Sequence, residues 1–201
     1  MQQVEQQINA SAAAFQDKLW PKISHVLGGG RIVCVESVSD RDFFRQCLDM
    51  YGGIDTWHVN DDRSLMRGLA TRMQKPLKVR FFKSLTIRYR KRSGNDTEIH
   101  KRMKALQEPD NWLHPSIVIQ GYFTNANGNG FGDPTAVAIA KMNDVIRIVC
   151  EGEQGTSYRD TKDWYLQSTS EEYGQYDGTE FAVIPIDTLK RKNLKHAWIE
   201  F

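Results

Sequence analysis

Leu48-Asp49-Met50-Tyr51-Gly52-Gly53-Ile54-Asp55-Thr56-Trp57 runs a helical pattern onto two glycines and directly into a strand with an aspartate near its start. Upstream, Ser39-Asp40 supplies an N-cap. Phe43, Phe44, Cys47 and Leu48 then share one face as far as Met50. Downstream, Ile54 to Val59 has strand composition, Asn60-Asp61-Asp62 makes a turn, and Gly68 to Gln74 gives a second strand. The β-branched run Arg31 to Val35 precedes the whole. Strand, helix, strand, strand in this order fixes the class as α/β or α+β, with a central mixed sheet flanked by helices.

The rest of the chain fits that class. Residues 2–27 place Val4, Ile8, Ala12, Phe15, Leu19 and Ile23 at near-helical spacing. Pro21 interrupts the pattern and Gly28-Gly29-Gly30 ends it, so residues 1–30 are expected as a helical segment packed on the sheet. In Leu85 to Lys91, Leu85, Ile87 and Tyr89 point one way while Thr86, Arg88 and Arg90 point the other. A turn at Ser93 to Asp96 leads to a helix from Thr97 to Leu106. Strands follow at Ser116 to Thr124 and Thr135 to Ala140, joined by an Asn/Gly loop over 125–132. A helix spans Asn143 to Cys150. Residues 151–179, polar and glycine-containing, read as a long mobile loop. Glu180 to Ile186 is a strand, followed by a short basic helix and a last strand from His196 to Phe201. The 201 residues suit a single domain, 1–201, and show no linker or repeat.

At 40% hydrophobic and 26% charged residues the composition is that of a globular chain, not a disordered or membrane-spanning one. Residues 1–14 lack the pattern of a signal peptide. Cys34, Cys47 and Cys150 are odd in number and have no CxxC spacing. They fit buried thiols in a reducing, cytoplasmic setting rather than a disulfide framework or zinc site. His58, His100 and His114 lack metal-ligand spacing and are expected to be structural.

Charge is distributed unevenly. Between Arg63 and Lys104 lie fourteen Lys and Arg against Asp96 and Glu98 alone, a net of +12. The chain as a whole is +2, so the remainder carries −10. A basic block in an acidic frame points to a polyanion, with nucleic acid as the expected partner and an acidic protein as the alternative. Arg80, Lys83, Arg88, Arg90, Lys91, Arg92 and Lys101 are the candidate phosphate contacts. Arginine suits this through its bidentate geometry, and the helix opening at Thr97 presents free backbone amides.

The segment Gly53-Ile54-Asp55 and the next strand, Ala70-Thr71-Arg72-Met73-Gln74, resemble the PD-(D/E)XK nuclease superfamily in order and spacing, over about residues 31–124. The resemblance implies a restriction-endonuclease-like sheet, Mg²⁺-dependent phosphodiester hydrolysis and a source in a phage or mobile element. It implies Asp55 as principal metal ligand and Glu36 as second acid, with Gln74 and Arg72 where the family's (D/E)xK tripeptide lies. Hard divalent cations take oxygen ligands and activate water, which is why two carboxylates would be needed. The sequence departs from the pattern, since no acid lies between Gly68 and Pro76. A non-catalytic binding or inhibitor module using the 63–104 face is the competing expectation. Glu98 is a further candidate acid.

Overall fold

The structure is a computed structural model that describes residues 9–35, 53–75, 83–90, 97–108, 113–125, 130–157, 159–160, 162–168 and 179–201. The expected helix over 39–50, together with Glu36, Cys47, Arg80, Lys91 and Arg92, lies outside them.

A helical segment opens the described chain. Its π-helical turn, Ala14–Leu19, passes into α-helix at Trp20–Ile23 and a 3-10 turn at Ser24–Leu27. Pro21 has no N–H to donate backwards, and just before it the Trp20 N–H reaches Phe15 O, one residue further than an α-helix would. The extra residue turns Phe15, Leu19, Trp20 and Ile23 all inward.

Among the described residues ten strands follow: β1 (Arg31–Cys34), β2 (Thr56–Val59), β3 (Met66–Gln74), β4 (Ser84–Arg90), β5 (Ile117–Asn125), β6 (Phe131–Lys141), β7 (Gln154–Gly155), β8 (Trp164–Ser168), β9 (Glu180–Pro185) and β10 (His196–Glu200). Three helices lie among them: α1 (Glu98–Gln107), α2 (Met142–Glu151) and α3 (Ile186–Arg191). The central mixed sheet has the order β1-β2-β3-β5-β6-β10, with β3 and β5 parallel and the other pairs antiparallel. A second sheet, β4-β9-β8-β7, was not expected.

The central sheet is buried on both faces, which is why its inner strands are nearly continuous apolar runs. One face carries Leu69, Met73, Ile119, Phe123, Val137 and Ile139 against Phe15, Leu19 and Ile23 of the N-terminal segment. The other carries Ala70, Val118, Ala138 and Ala140 against Leu85, Ile87, Ile99, Ile146, Ile184 and Leu189. Small side chains on this second face let β4 approach β5 closely. None of the described helices is long and apolar enough to cross a membrane.

Three expectations need correction. The long loop over 151–179 is interrupted by β7 and β8. Trp164 and Tyr165 are buried, and β8 pairs with β9 from Tyr165↔Val183 to Ser168↔Glu180, so aromatic burial outweighs the polar composition around it. Strand β6 begins at Phe131 rather than Thr135. A register shift between Tyr122 and Phe123 accommodates Pro134 opposite Phe123, so the proline does not end the strand. Cys150 is exposed rather than buried, because α2 turns Val145, Ile146, Ile148 and Val149 inward and Cys150 falls on its outer side.

The histidines are structural where the structure describes their contacts. His58 is buried, its ring tilted against Trp20 with centroids 5.1 Å apart. Its Nδ1 accepts from Arg67 Nε at 3.1 Å, so Nε2 holds the proton and donates to Gly29 O at 2.7 Å. His100 takes the N3 place of a capping box with Thr97 at the start of α1.

Candidate nucleic-acid interface

Strand alternation sets Arg72 and Gln74 on one face of β3. The parallel register places them beside Gln120 and Tyr122 of β5. Strand β4 crosses that face with one edge unpaired by any strand among the described residues. Side chains complete that edge instead. Tyr122 Oη donates to Ser84 O at 2.6 Å, the Thr86 N–H donates to Gln120 Oε1 at 2.7 Å, and the Arg88 N–H donates to Glu98 Oε2 at 3.0 Å. Gln120 is fully buried and also donates to Gln74 Oε1 and Tyr122 Oη. A buried polar network of this kind is tolerated only because its members are bonded to one another. Burial pushes the Tyr122 hydroxyl above its ordinary pKa, only partly offset by its bonds to Ser84 and Gln120.

Glu98, in the first turn of α1, is the hub. Its carboxylate accepts from Arg72 Nη2 at 3.0 Å and Arg102 Nη2 at 3.3 Å, besides the Arg88 amide. Burial alone pushes this carboxyl up. The Arg72 and Arg102 guanidiniums, the Arg88 amide and the Arg88 charge together outweigh burial and hold it below the usual glutamate value. Arg72 also donates to Thr86 Oγ1 at 3.1 Å and lies over the Phe181 ring at 4.8 Å. Arg72 and Arg102 therefore bond one carboxylate, and the Arg88 charge acts on it as well.

Arg102 ties the cluster to the segment before β2 by donating to Gly53 O at 2.9 Å. Gly53 has φ +59°, and a Cβ there would sit 2.6 Å from Arg102 Nη1. The glycine is required both by its left-handed backbone and by the guanidinium lying against it. Two residues on, Asp55 bridges the sheet. Its N–H donates to Leu69 O, its O accepts from Val35 N–H, and its Oδ2 accepts the Thr71 N–H at 2.5 Å, extending the β2–β3 ladder with a side chain.

The predicted site residues thus separate. Arg72, Gln74, Arg88 and Glu98 belong to one bonded network, and Asp55 is fastened to β3 one residue before Arg72. Lys83 lies elsewhere, paired with Glu200 at 2.6 Å and set over Trp198. Arg90 is exposed and pairs with Glu180 at 3.1 Å. A register shift between Arg88 and Arg90 parts the two arginines that alternation had aligned. Lys101 is partly buried on α1. Arg102, Gln120 and Tyr122 were not foreseen, though Glu98 and Arg102 stand at the i, i+4 spacing of a helical ion pair.

The described residues do not fit a divalent cation. Among them no three His, Cys, Asp or Glu converge. Glu98 is already enclosed by guanidiniums that would repel a cation, and one oxygen of Asp55 is committed to Thr71. Comparison with protein-family models, with curated proteins and with solved structures finds no match in any of the three.

Proposed function

We propose that this chain is a nucleic-acid-binding protein on a nuclease-like, restriction-endonuclease-like scaffold, and that it engages the phosphate backbone through the basic 63–104 block. The observation that carries the reading is the net charge of +12 over residues 63–104, within which Arg72 and Arg102 both bond the Glu98 carboxylate. In sequence these residues are flanked by Arg90, Lys91 and Arg92, which extend the basic block. The placement of Asp55, Arg72 and Gln74 on neighbouring strands of a mixed sheet supports the scaffold assignment.

Phosphate contacts release counterions, so affinity for mixed-sequence duplex should fall with salt. The slope of log K against log salt is expected at about −0.9 per contact, and about −0.7 for a single strand. Titration of labelled duplex and single strand across a salt series measures it, and affinity that ignores salt rules the reading out. Hydrolysis with Mg²⁺ held by Asp55 and Glu36 has a separate test. Divalent-ion-dependent cleavage by the wild-type chain, lost in Asp55→Asn with nucleic-acid affinity kept, would replace simple binding with the hydrolytic reading. Asp55→Asn keeps an acceptor for the Thr71 N–H, so its cost in stability should stay within about 1 kcal/mol.

A further inference from the structure

Among the described residues the two sheets leave four edges, and β10 differs from the others. Side chains of Tyr122, Gln120 and Glu98 complete the outer edge of β4. Strand β7 has two residues and β1 has four. Strand β10, His196-Ala197-Trp198-Ile199-Glu200, is longer than either. It has no proline and no register shift against β6.

Its hydrogen-bonding parity can be read from the chain end. The Phe201 N–H donates to Thr135 O, and the register with β6 runs without a shift from Glu200↔Ala136 to His196↔Ala140. Antiparallel strands bond at alternate residues. Ala197, Ile199 and Phe201 therefore direct their amides and carbonyls to β6, and His196, Trp198 and Glu200 direct theirs outward. Among the described residues no strand lies on that side. Edges of this kind are usually blunted by charge, proline, bulges or covering segments, and β10 carries only its terminal Glu200, which is paired with Lys83.

We infer that β10 is a pairing edge and that its occupant is β10 of a second copy of this chain, bound antiparallel about a two-fold axis at Trp198. The sequence is complementary to itself in that register. His196 falls opposite Glu200 of the second copy, Ala197 opposite Ile199, and the neutral Trp198 opposite itself. No like charges are opposed. The same register makes His196, Trp198 and Glu200 the mutually bonded positions, which are those whose backbone groups point outward. The central sheet becomes continuous across the pair. A two-fold axis normal to the sheet puts the Arg72–Glu98 clusters of both copies on one side of it. So short an interface lies at the small end of specific contacts, and the dimer is concentration-dependent rather than permanent.

The test is sedimentation velocity across a wide range of concentration, paired with amide exchange by NMR on the full chain. The apparent mass should double as concentration rises. The amides of His196, Trp198 and Glu200 should slow with it while those of Ala197 and Ile199 stay constant. His196→Pro removes an outward N–H without touching the β6 ladder, and should keep the chain monomeric with an unchanged circular dichroism spectrum. A monomer at every concentration overturns the inference. So does a dimer whose β10 amides exchange independently of concentration, because association then uses another surface. Should His196→Pro fail to fold, the alternating protection in the wild-type chain decides alone.

Discussion

Glu98→Ala is expected to cost about 3–5 kcal/mol of folding stability, the loss typical when one partner of a buried ion pair is deleted. Arg102 is only 3% exposed, and its Nη2 bonds Glu98 at 3.3 Å. Removing that carboxylate takes an ion-pair partner from a buried guanidinium and the acceptor from the Arg88 N–H on the edge of β4. Glu98→Gln keeps an acceptor oxygen and loses only the charge, so its cost should be smaller. Glu98→Ala combined with Arg102→Met should recover part of the loss, because apolar replacement of a whole buried pair is often nearly neutral. Chemical denaturation of the four proteins measures this, and a single variant as stable as wild type would show that the hub is not structural. The pH dependence follows from the same contacts. The Glu98 pKa is lowered in the folded state, so its contribution is complete above the ordinary glutamate value. That contribution is lost as pH falls through the lowered folded value, and Glu98→Gln should flatten the acid limb.

Replacing Arg90, Lys91 and Arg92 together by Gln is expected to weaken nucleic-acid binding by about 10²–10³-fold near 0.1 M salt. Each phosphate contact contributes about 0.9 to the salt slope, which is close to tenfold per decade of salt below 1 M. Three contacts should therefore also reduce the slope by about 3, with equal losses on all sequences, since phosphate contacts carry no base information. Arg90 suits this test because its side chain is 62% exposed and its one described ion pair, with Glu180, is at the surface. Such pairs contribute little to stability, so the fold should hold. Arg88 is less suitable: its N–H is bonded to Glu98, and a carboxylate introduced there would face the Glu98 hub. An unchanged slope in the triple variant would move the interface away from this run.

Elements whose signal lies within a few residues were legible in sequence. The Thr97 cap, the amphipathic α2, the turn at Asn60 and the alternation in β4 all depend on neighbours along the chain. Strand β8 was not legible, because what makes Trp164 to Ser168 a strand is β9, some fifteen residues away. The site divides the same way. Arg72, Gln74 and Asp55 were singled out by position. Their bonding was hidden, because Glu98, Arg102 and Gln120 come from other elements and meet them only after β4 has crossed the sheet.

By itself the sequence determined the α/β class, the inward faces of the N-terminal segment and of β4, and the concentration of basic charge in one block. Each is a property of residue type and local spacing. Tertiary structure alone decided which of those charges stay available. Packing β4 across β5 buried Gln120 and enclosed Glu98 among arginines, and the register shift beyond Arg88 sent Arg90 to Glu180. Charge on a chain is additive, but its solvation and pairing are set by what folding places beside it, and no linear spacing encodes that.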